Sequence, residues 1–470
     1  MAASCGEDDE QPPRPQIATI LQDDAELLHR SPRRIAATLD DLRELGVTWV
    51  RVTAGWSVIA PEPRSKTRPS FDARDPTAYP ARAWNKLDRL QAMARARGLR
   101  LAIDIAFWAP RWAVRRPARL PDRERDTIDA ADYADFAEAV ARRYPRSVAF
   151  TVWNEPNHNA FLLAQWQRSG DGWRPASPHS YRAMVEAAVP RIKAAAPDAL
   201  ALIGATSSVG SEQGSGPSER MAPLTFLRAL ACVDEALAPL DVPECETFAA
   251  LPGDGWSHHP YSLALAPWQS DPRPDDVRMG DLRRLTSLLA RLHAKGRTQR
   301  ELALYLTESG YQTSPPDPTW NVGLADQARW LAEAERIARH EPTLRSVAQF
   351  LHRDLPERPG PDPKTRWRDY QSGLRFIDGR PKPAHVAFGL PLVARRAPAG
   401  GVAFWGLVRR GSGARDVSVS VREPGGRWRE IVSTRTGSDG TFTAGAAVDP
   451  WRTFRLDSGG RTGAPLRGAR

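Results

Sequence analysis

The sequence predicts an α/β fold, a (β/α)8 TIM barrel followed by a small C-terminal antiparallel β-domain. Three observations carry that prediction. Between residues 15 and 390, short apolar strand-like runs alternate with helical periodicities, and such alternation builds a parallel sheet. Eight units over this length suit a closed barrel rather than an open sheet. Beyond about residue 390 the texture changes to short alternating runs split by Gly, Asp and Ser, the mark of antiparallel strands.

The elements follow in order. QIATIL at 16–21 is the first strand. Ser31-Pro32 then supplies an N-cap and a first-turn proline; Ile35, Leu39, Leu42 and Leu45 recur at helical spacing, and Gly46 ends the helix. VTWVRV at 47–52 is the second strand. Trp84, Leu87, Leu90 and Ala94 form the next apolar stripe, closed by Gly98, before the third strand, LRLAIDIAF at 99–107. Tyr133, Phe136, Val140 and Tyr144 mark the helix before the fourth strand, VAFTVW at 148–153. A helix around 180–195 precedes ALALIGA at 199–205, and GWSHH at 255–259 is the sixth strand, placed mainly by its position in the order. Leu282, Leu285, Leu289 and Leu292 lie on a helix before LALYLT at 302–307; a helix around 324–340 precedes SVAQFL at 346–351.

Surplus length falls mostly after strands, at 54–80, 154–178, 206–254, 308–323 and 352–380. Such loops form the C-terminal mouth, where barrels of this kind keep their chemistry. The chain therefore divides into a disordered segment at 1–14, the barrel at 15–390, a small β-sandwich-like domain at 391–457 and a disordered Gly/Arg-rich tail at 458–470. No row of exposed aromatics marks the C-terminal domain, so bracing the barrel is its default role.

Composition removes several classes of function. The formal charge is +10, which invites a nucleic-acid reading. The arginines are scattered, however, and lysine occurs only at 66, 86, 193, 295, 364 and 382. The bias is that of a coding preference, not of a phosphate-binding face. No apolar run approaches the ~20 residues of a membrane helix. No zinc, calcium or P-loop motif is present, so neither a metal nor another cofactor is expected. Cys232 and Cys245 lie close together and are either a disulfide, implying an oxidising compartment, or two unrelated thiols. The N-terminus has no complete signal peptide, although Ala2-Ala3-Ser4-Cys5 has the look of a bacterial lipoprotein cleavage site. An extracytoplasmic protein, secreted or lipid-anchored at Cys5, is the expectation. Oligomeric state is not legible.

Two acidic residues stand at matching places. Trp153-Asn154-Glu155-Pro156 follows the fourth strand and Leu306-Thr307-Glu308-Ser309-Gly310 follows the seventh. Carboxylates at those strand ends face each other across the mouth. Double displacement at a sugar carbon needs that arrangement, one group attacking carbon and the other handling the proton.

These motifs resemble the two signatures of clan A glycoside hydrolases, in particular the family 39 and family 5 types. The resemblance covers roughly 15–390. It implies a retaining glycosidase acting on an oligo- or polysaccharide or glycoside, with Glu155 as acid/base and Glu308 as nucleophile. It implies that Asn154 bonds the sugar 2-hydroxyl. His259-Pro260-Tyr261 resembles the clan's His-x-Tyr, whose tyrosine bonds the nucleophile, and Arg51 matches a clan arginine beside it. Arg51, Tyr261 and His259 would then serve Glu308, while Glu155, needing its proton, should have a raised pKa. One departure stands out. Many clan members end strand eight with a tryptophan that floors the sugar subsite, but here the chain reads Gln349-Phe350-Leu351-His352. Trp367 or Tyr370 is left to fill that space. Among the 16 tryptophans, Trp56, Trp108 and Trp256 are the candidates for stacking on sugar. The altered eighth strand and the extra module also keep a second reading open, a non-catalytic carbohydrate-binding or cell-surface protein.

Overall fold

The computed structural model describes residues 16–115, 124–319, 322–409 and 413–468; Cys5 and the rest of the N-terminal segment lie outside them. Eight parallel strands close into a barrel: β1 (Ala18–Gln22), β2 (Trp49–Gly55), β3 (Arg100–Ala106), β4 (Ala149–Val152), β5 (Leu200–Ser207), β6 (Gly255–His259), β7 (Ala303–Leu306) and β8 (Leu344–Phe350). β8 pairs with β1 and shuts the ring.

The expected helix signals act where they stand. The Ser31 hydroxyl accepts the Arg34 amide at the start of helix Pro32–Glu44, and Pro32 occupies its first turn. Gly46 and Gly98 take positive φ after their helices, as chain reversal there requires. Trp84, Leu87, Leu90 and Ala94 are all buried on helix Ala81–Arg95.

Inside the ring, the period of two along each strand stacks one layer of side chains on another. Ile20, Trp49, Ala102, Leu202, Tyr305 and Ala348 form an apolar floor. Two residues further along, Gln22, Arg51 and Asp104 replace them with a buried polar layer. The polar layer is what carries charge up to the mouth.

Gly204 on β5 is a position that only glycine suits. Its φ is +97°, and an added Cβ would lie 2.6 Å from the Trp256 ring and 2.8 Å from the Ser257 carbonyl. Gly204→Ala should therefore destabilise the fold by about 2–4 kcal/mol, read as a lowered midpoint in chemical denaturation.

The loops hold elements that the periodicity misses. A hairpin, Trp166–Ser169 with Gly172–Pro175, follows β4, and helix Pro223–Leu230 lies in the segment after β5. Cys232 and Cys245 are joined as a disulfide in that same segment. No helix among the described residues is long and apolar enough to cross a membrane.

Beyond the barrel stand antiparallel sheets. One is built from Leu392–Arg396, Val402–Leu407 and Thr441–Ala446; the other centres on Asp416–Arg422, Trp428–Arg435 and Thr453–Ser458. The tail expected to be disordered departs from that reading. Arg461–Thr462 and Leu466–Arg467 both pair with Thr453–Ser458. Gly459 and Gly460, both at positive φ, make the tight return that such a hairpin needs. Two ion pairs tie these sheets to barrel helix Leu324–Ala338: Arg395–Glu333 at 2.7 Å and Arg409–Glu335 at 2.6 Å. Val393, Trp405 and Leu407 pack with Ala332 of that helix.

Candidate active site

The mouth of the barrel gathers Arg51, Glu155, His259, Tyr261 and Glu308. Arg51 on β2 is fully buried in the polar layer. Its Nη1 donates to Glu308 Oε1 at 2.7 Å and also bonds Gln22. Its Nη2 lies 3.0 Å from Asp104 Oδ1. Tyr261 donates its hydroxyl to Glu308 Oε2 at 3.1 Å. Each oxygen of Glu308 thus meets a donor, one of them charged. Burial pushes the Tyr261 phenol well above its ordinary range, so it stays a donor. Burial also pushes Asp104 up to about 7, against the pull of Arg51. A carboxyl that keeps its proton near neutrality leaves the Arg51 charge to Glu308.

Glu155 sits where β4 breaks into its loop. Trp153 and Glu155 both have positive φ, 62° and 39°, strained values for residues with a Cβ. Two buried tyrosines hold the turn. Tyr133 accepts the Trp153 amide at 2.9 Å and donates to the Ile105 carbonyl at 2.7 Å. Tyr181 donates to the Val152 carbonyl and accepts the Gly204 amide, each at 2.8 Å. The Glu155 amide itself donates to Ala205 at 3.0 Å. One side-chain atom from each of Glu155, His259 and Glu308 lies within 4.8 Å of the other two.

His259 departs from its expected role. It lies nearer Glu155 than Glu308, its Nδ1 being 3.0 Å from Glu155 Oε1 and 3.7 Å from Glu308 Oε2. This contact also reverses the expected pKa of Glu155. Burial pushes the carboxyl up, but the His259 hydrogen bond and charge, helped by the Arg220 charge, outweigh it and leave the carboxyl below its ordinary range. The sequence reading missed this because the partner is supplied by a strand about a hundred residues away (104). His259→Asn should let burial dominate, raising the Glu155 pKa. The alkaline limb of kcat/KM, which reports the free enzyme, is then expected to move to higher pH.

Asn154 is buried, and its Oδ1 has no partner among the described residues. Two of the three tryptophan candidates are corrected. Trp56 is fully buried, packed against Trp112, Tyr133 and Phe136 at 5.7–6.0 Å. Trp256 is fully buried against Gly204. On β6 its neighbours Ser257 and His259 face the lumen, so alternation turns Trp256 to the helix layer. Neither indole can stack on a sugar. Trp108 is half-buried, donating its ring N–H to Ala160 in the loop that carries Glu155, at 3.0 Å.

The space beside the carboxylates is a cavity of about 150 Å³ lined by Glu155, Ser207, Tyr261, Gly310 and Tyr370 among others. Tyr370 takes the place left open at strand eight, its ring 5.0 Å from Phe350 and 6.3 Å from Tyr261. Trp367 does not line this cavity. A larger groove of about 1360 Å³ lies between helix Leu324–Ala338 and the C-terminal sheets. It holds no facing carboxylate pair like that of the mouth.

A closed (β/α)8 barrel with two glutamates opposed across its C-terminal mouth, one braced by arginine and tyrosine, defines a glycoside hydrolase. The chain belongs to the cellulase family, glycosyl hydrolase family 5, whose model matches residues 24–278. Among solved structures it is similar to a family 39 glycoside hydrolase from Bacteroides cellulosilyticus WH2. That likeness has a TM-score of 0.54 and 16% identity and covers 92% of this chain and 81% of that one. It is also similar to a GH5_18 protein from Streptomyces cattleya, solved in complex with GlcNAc, at a TM-score of 0.50 and 17% identity, over 80% of this chain and 79% of that one. No curated protein matches the sequence.

Proposed function

We propose that the protein hydrolyses O-glycosidic bonds, β-linked ones by the clan resemblance, with net retention through a covalent glycosyl-enzyme. The observation that carries the reading is the carboxylate spacing. A Glu155 oxygen and a Glu308 oxygen lie within 4.8 Å, close to the ~5–5.5 Å of retaining enzymes and short of the ~6.5–9.5 Å that inversion needs to seat a water.

Glu308 attacks the anomeric carbon while Glu155 gives its proton to the departing oxygen. Water then enters, Glu155 takes its proton, and the Glu308–sugar bond breaks. Arg51 and Tyr261 stabilise the Glu308 carboxylate before attack and as it leaves. Asn154 Oδ1, buried and unpartnered among the described residues, accepts the sugar 2-hydroxyl. A cavity of only about 150 Å³ beside Glu155 supports a small glycoside over a long polymer as substrate. The Cys232–Cys245 disulfide supports an extracytoplasmic setting.

The test is stereochemical. Proton NMR of the first product from an aryl β-glycoside should show the β-anomer before mutarotation; initial α-anomer would overturn retention.

A further inference from the structure

We propose that the cleft carries a preformed oxyanion site on the leaving-group side of Glu155, made by His158, Arg220 and Ser207, and that the substrate's aglycone bears a carboxylate, sulfate or phosphate there. The inference rests on the hydrolase reading above for the word aglycone, since Glu155 as proton donor faces the departing group.

Hydrogen-bond accounting carries it. The Ala160 amide donates to His158 Nδ1 at 2.9 Å. That commits Nδ1 as the acceptor and places the ring proton on Nε2. Burial, with the Arg220 charge and against that of Glu155, lowers the His158 pKa, consistent with a neutral ring. Nε2–H then faces the Arg220 guanidinium at 3.5 Å, donor against donor, with no acceptor between them. Ser207 is 7% exposed and its hydroxyl has no partner among the described residues. All three side chains line the cavity that holds Glu155. Among the described residues, the Arg220 side chain has His158 as its hydrogen-bond-distance neighbour and no carboxylate. Ser207 is buried, His158 half-buried and Arg220 exposed at the rim of the same cavity, so one oxyanion seated there can take a hydrogen bond from each.

The corner is built before ligand arrives. Asn157, fully buried, donates Nδ2–H to Ser207 O at 3.2 Å and to Met221 O at 2.9 Å, and accepts the Ser207 amide on Oδ1 at 2.8 Å. The Met221 amide returns a bond to Asn157 O at 3.0 Å. One side chain therefore fixes the loops bearing His158, Ser207 and Arg220 against each other.

The test uses a matched pair, the 4-carboxyphenyl and 4-carbamoylphenyl glycosides of one sugar. The carbamoyl phenol leaves more readily, so a preference for the carboxylate reports binding rather than reactivity. At low salt, wild-type kcat/KM should favour the carboxylate by about tenfold, and the ratio should fall to about one in Arg220→Gln. Reading a ratio removes any general effect of the substitution on rate. A second readout needs no turnover: calorimetry with inorganic sulfate should detect binding to the wild type and none to Arg220→Gln. A wild-type ratio of one or below, or a ratio unchanged in Arg220→Gln, overturns the site while leaving the hydrolase standing. Sulfate binding that requires Arg220, with neither glycoside cleaved, upholds the site and removes the hydrolase reading. Loss of both signals removes both.

Discussion

Glu308→Ala is expected to lower kcat by about 10⁴-fold or more on every glycoside, the scale seen when an attacking side chain is removed. The substitution deletes the group that bonds to the anomeric carbon, and nothing else within reach can replace it. The fold should survive. Arg51 would lose its partner at 2.7 Å but keeps Asp104 at 3.0 Å. Asp104 is held up to about 7 by burial, and the Glu308 charge adds to that. With Glu308 gone that repulsion goes too, the Asp104 carboxyl moves down, and it ionises to pair with Arg51. A soluble, cooperative but inactive protein is the expected result. Azide should then rescue turnover, occupying the space of the lost carboxylate and giving a glycosyl azide of inverted configuration. Full activity in Glu308→Ala would end the assignment.

The residues of this centre differ in how far the chain itself announced them. Glu155 and Glu308 were legible because each sits at a strand end, and strand order follows from apolar runs that no loop mimics. Arg51 was legible through the clan resemblance; the buried polar layer that holds it, with Gln22 and Asp104, shows only in the folded barrel. The tryptophans were not. An indole on a strand faces lumen or helix layer according to a one-residue register, and Trp256, near the start of β6, faces the helix layer. Tyr133 read as one residue of a core stripe. It is buried as that stripe requires, yet its hydroxyl holds the Trp153 amide, a long-range role that periodicity does not encode. Helix Pro223–Leu230 went unseen because its eight residues, six of them buried, form too short and too apolar a run to show a polar face. His158, Arg220 and Ser207 lie in or beside loops, where only the folded chain brings them together.

Glu155→Ala should separate the two carboxylates by leaving group. For a 2,4-dinitrophenyl glycoside, whose phenol departs unaided, kcat/KM should fall little. For an alkyl glycoside, which needs the proton, it should fall by about 10²- to 10⁴-fold, the usual worth of general acid catalysis. The second step loses its base in either case, so the activated substrate should give a burst followed by slow turnover as glycosyl-enzyme accumulates. The pH profile supplies an independent reading. His259 holds the Glu155 carboxyl below its ordinary range, so the protonated form is lost as pH rises through that lowered value. Wild-type kcat/KM for an alkyl glycoside should accordingly have its alkaline limb at acid pH, and Glu155→Ala should abolish that limb. Azide completes the contrast. In Glu155→Ala it attacks the glycosyl-enzyme and yields an azide of retained configuration, opposite to the Glu308→Ala product. Two variants, one nucleophile and two opposite stereochemical outcomes then fix which glutamate attacks and which moves the proton.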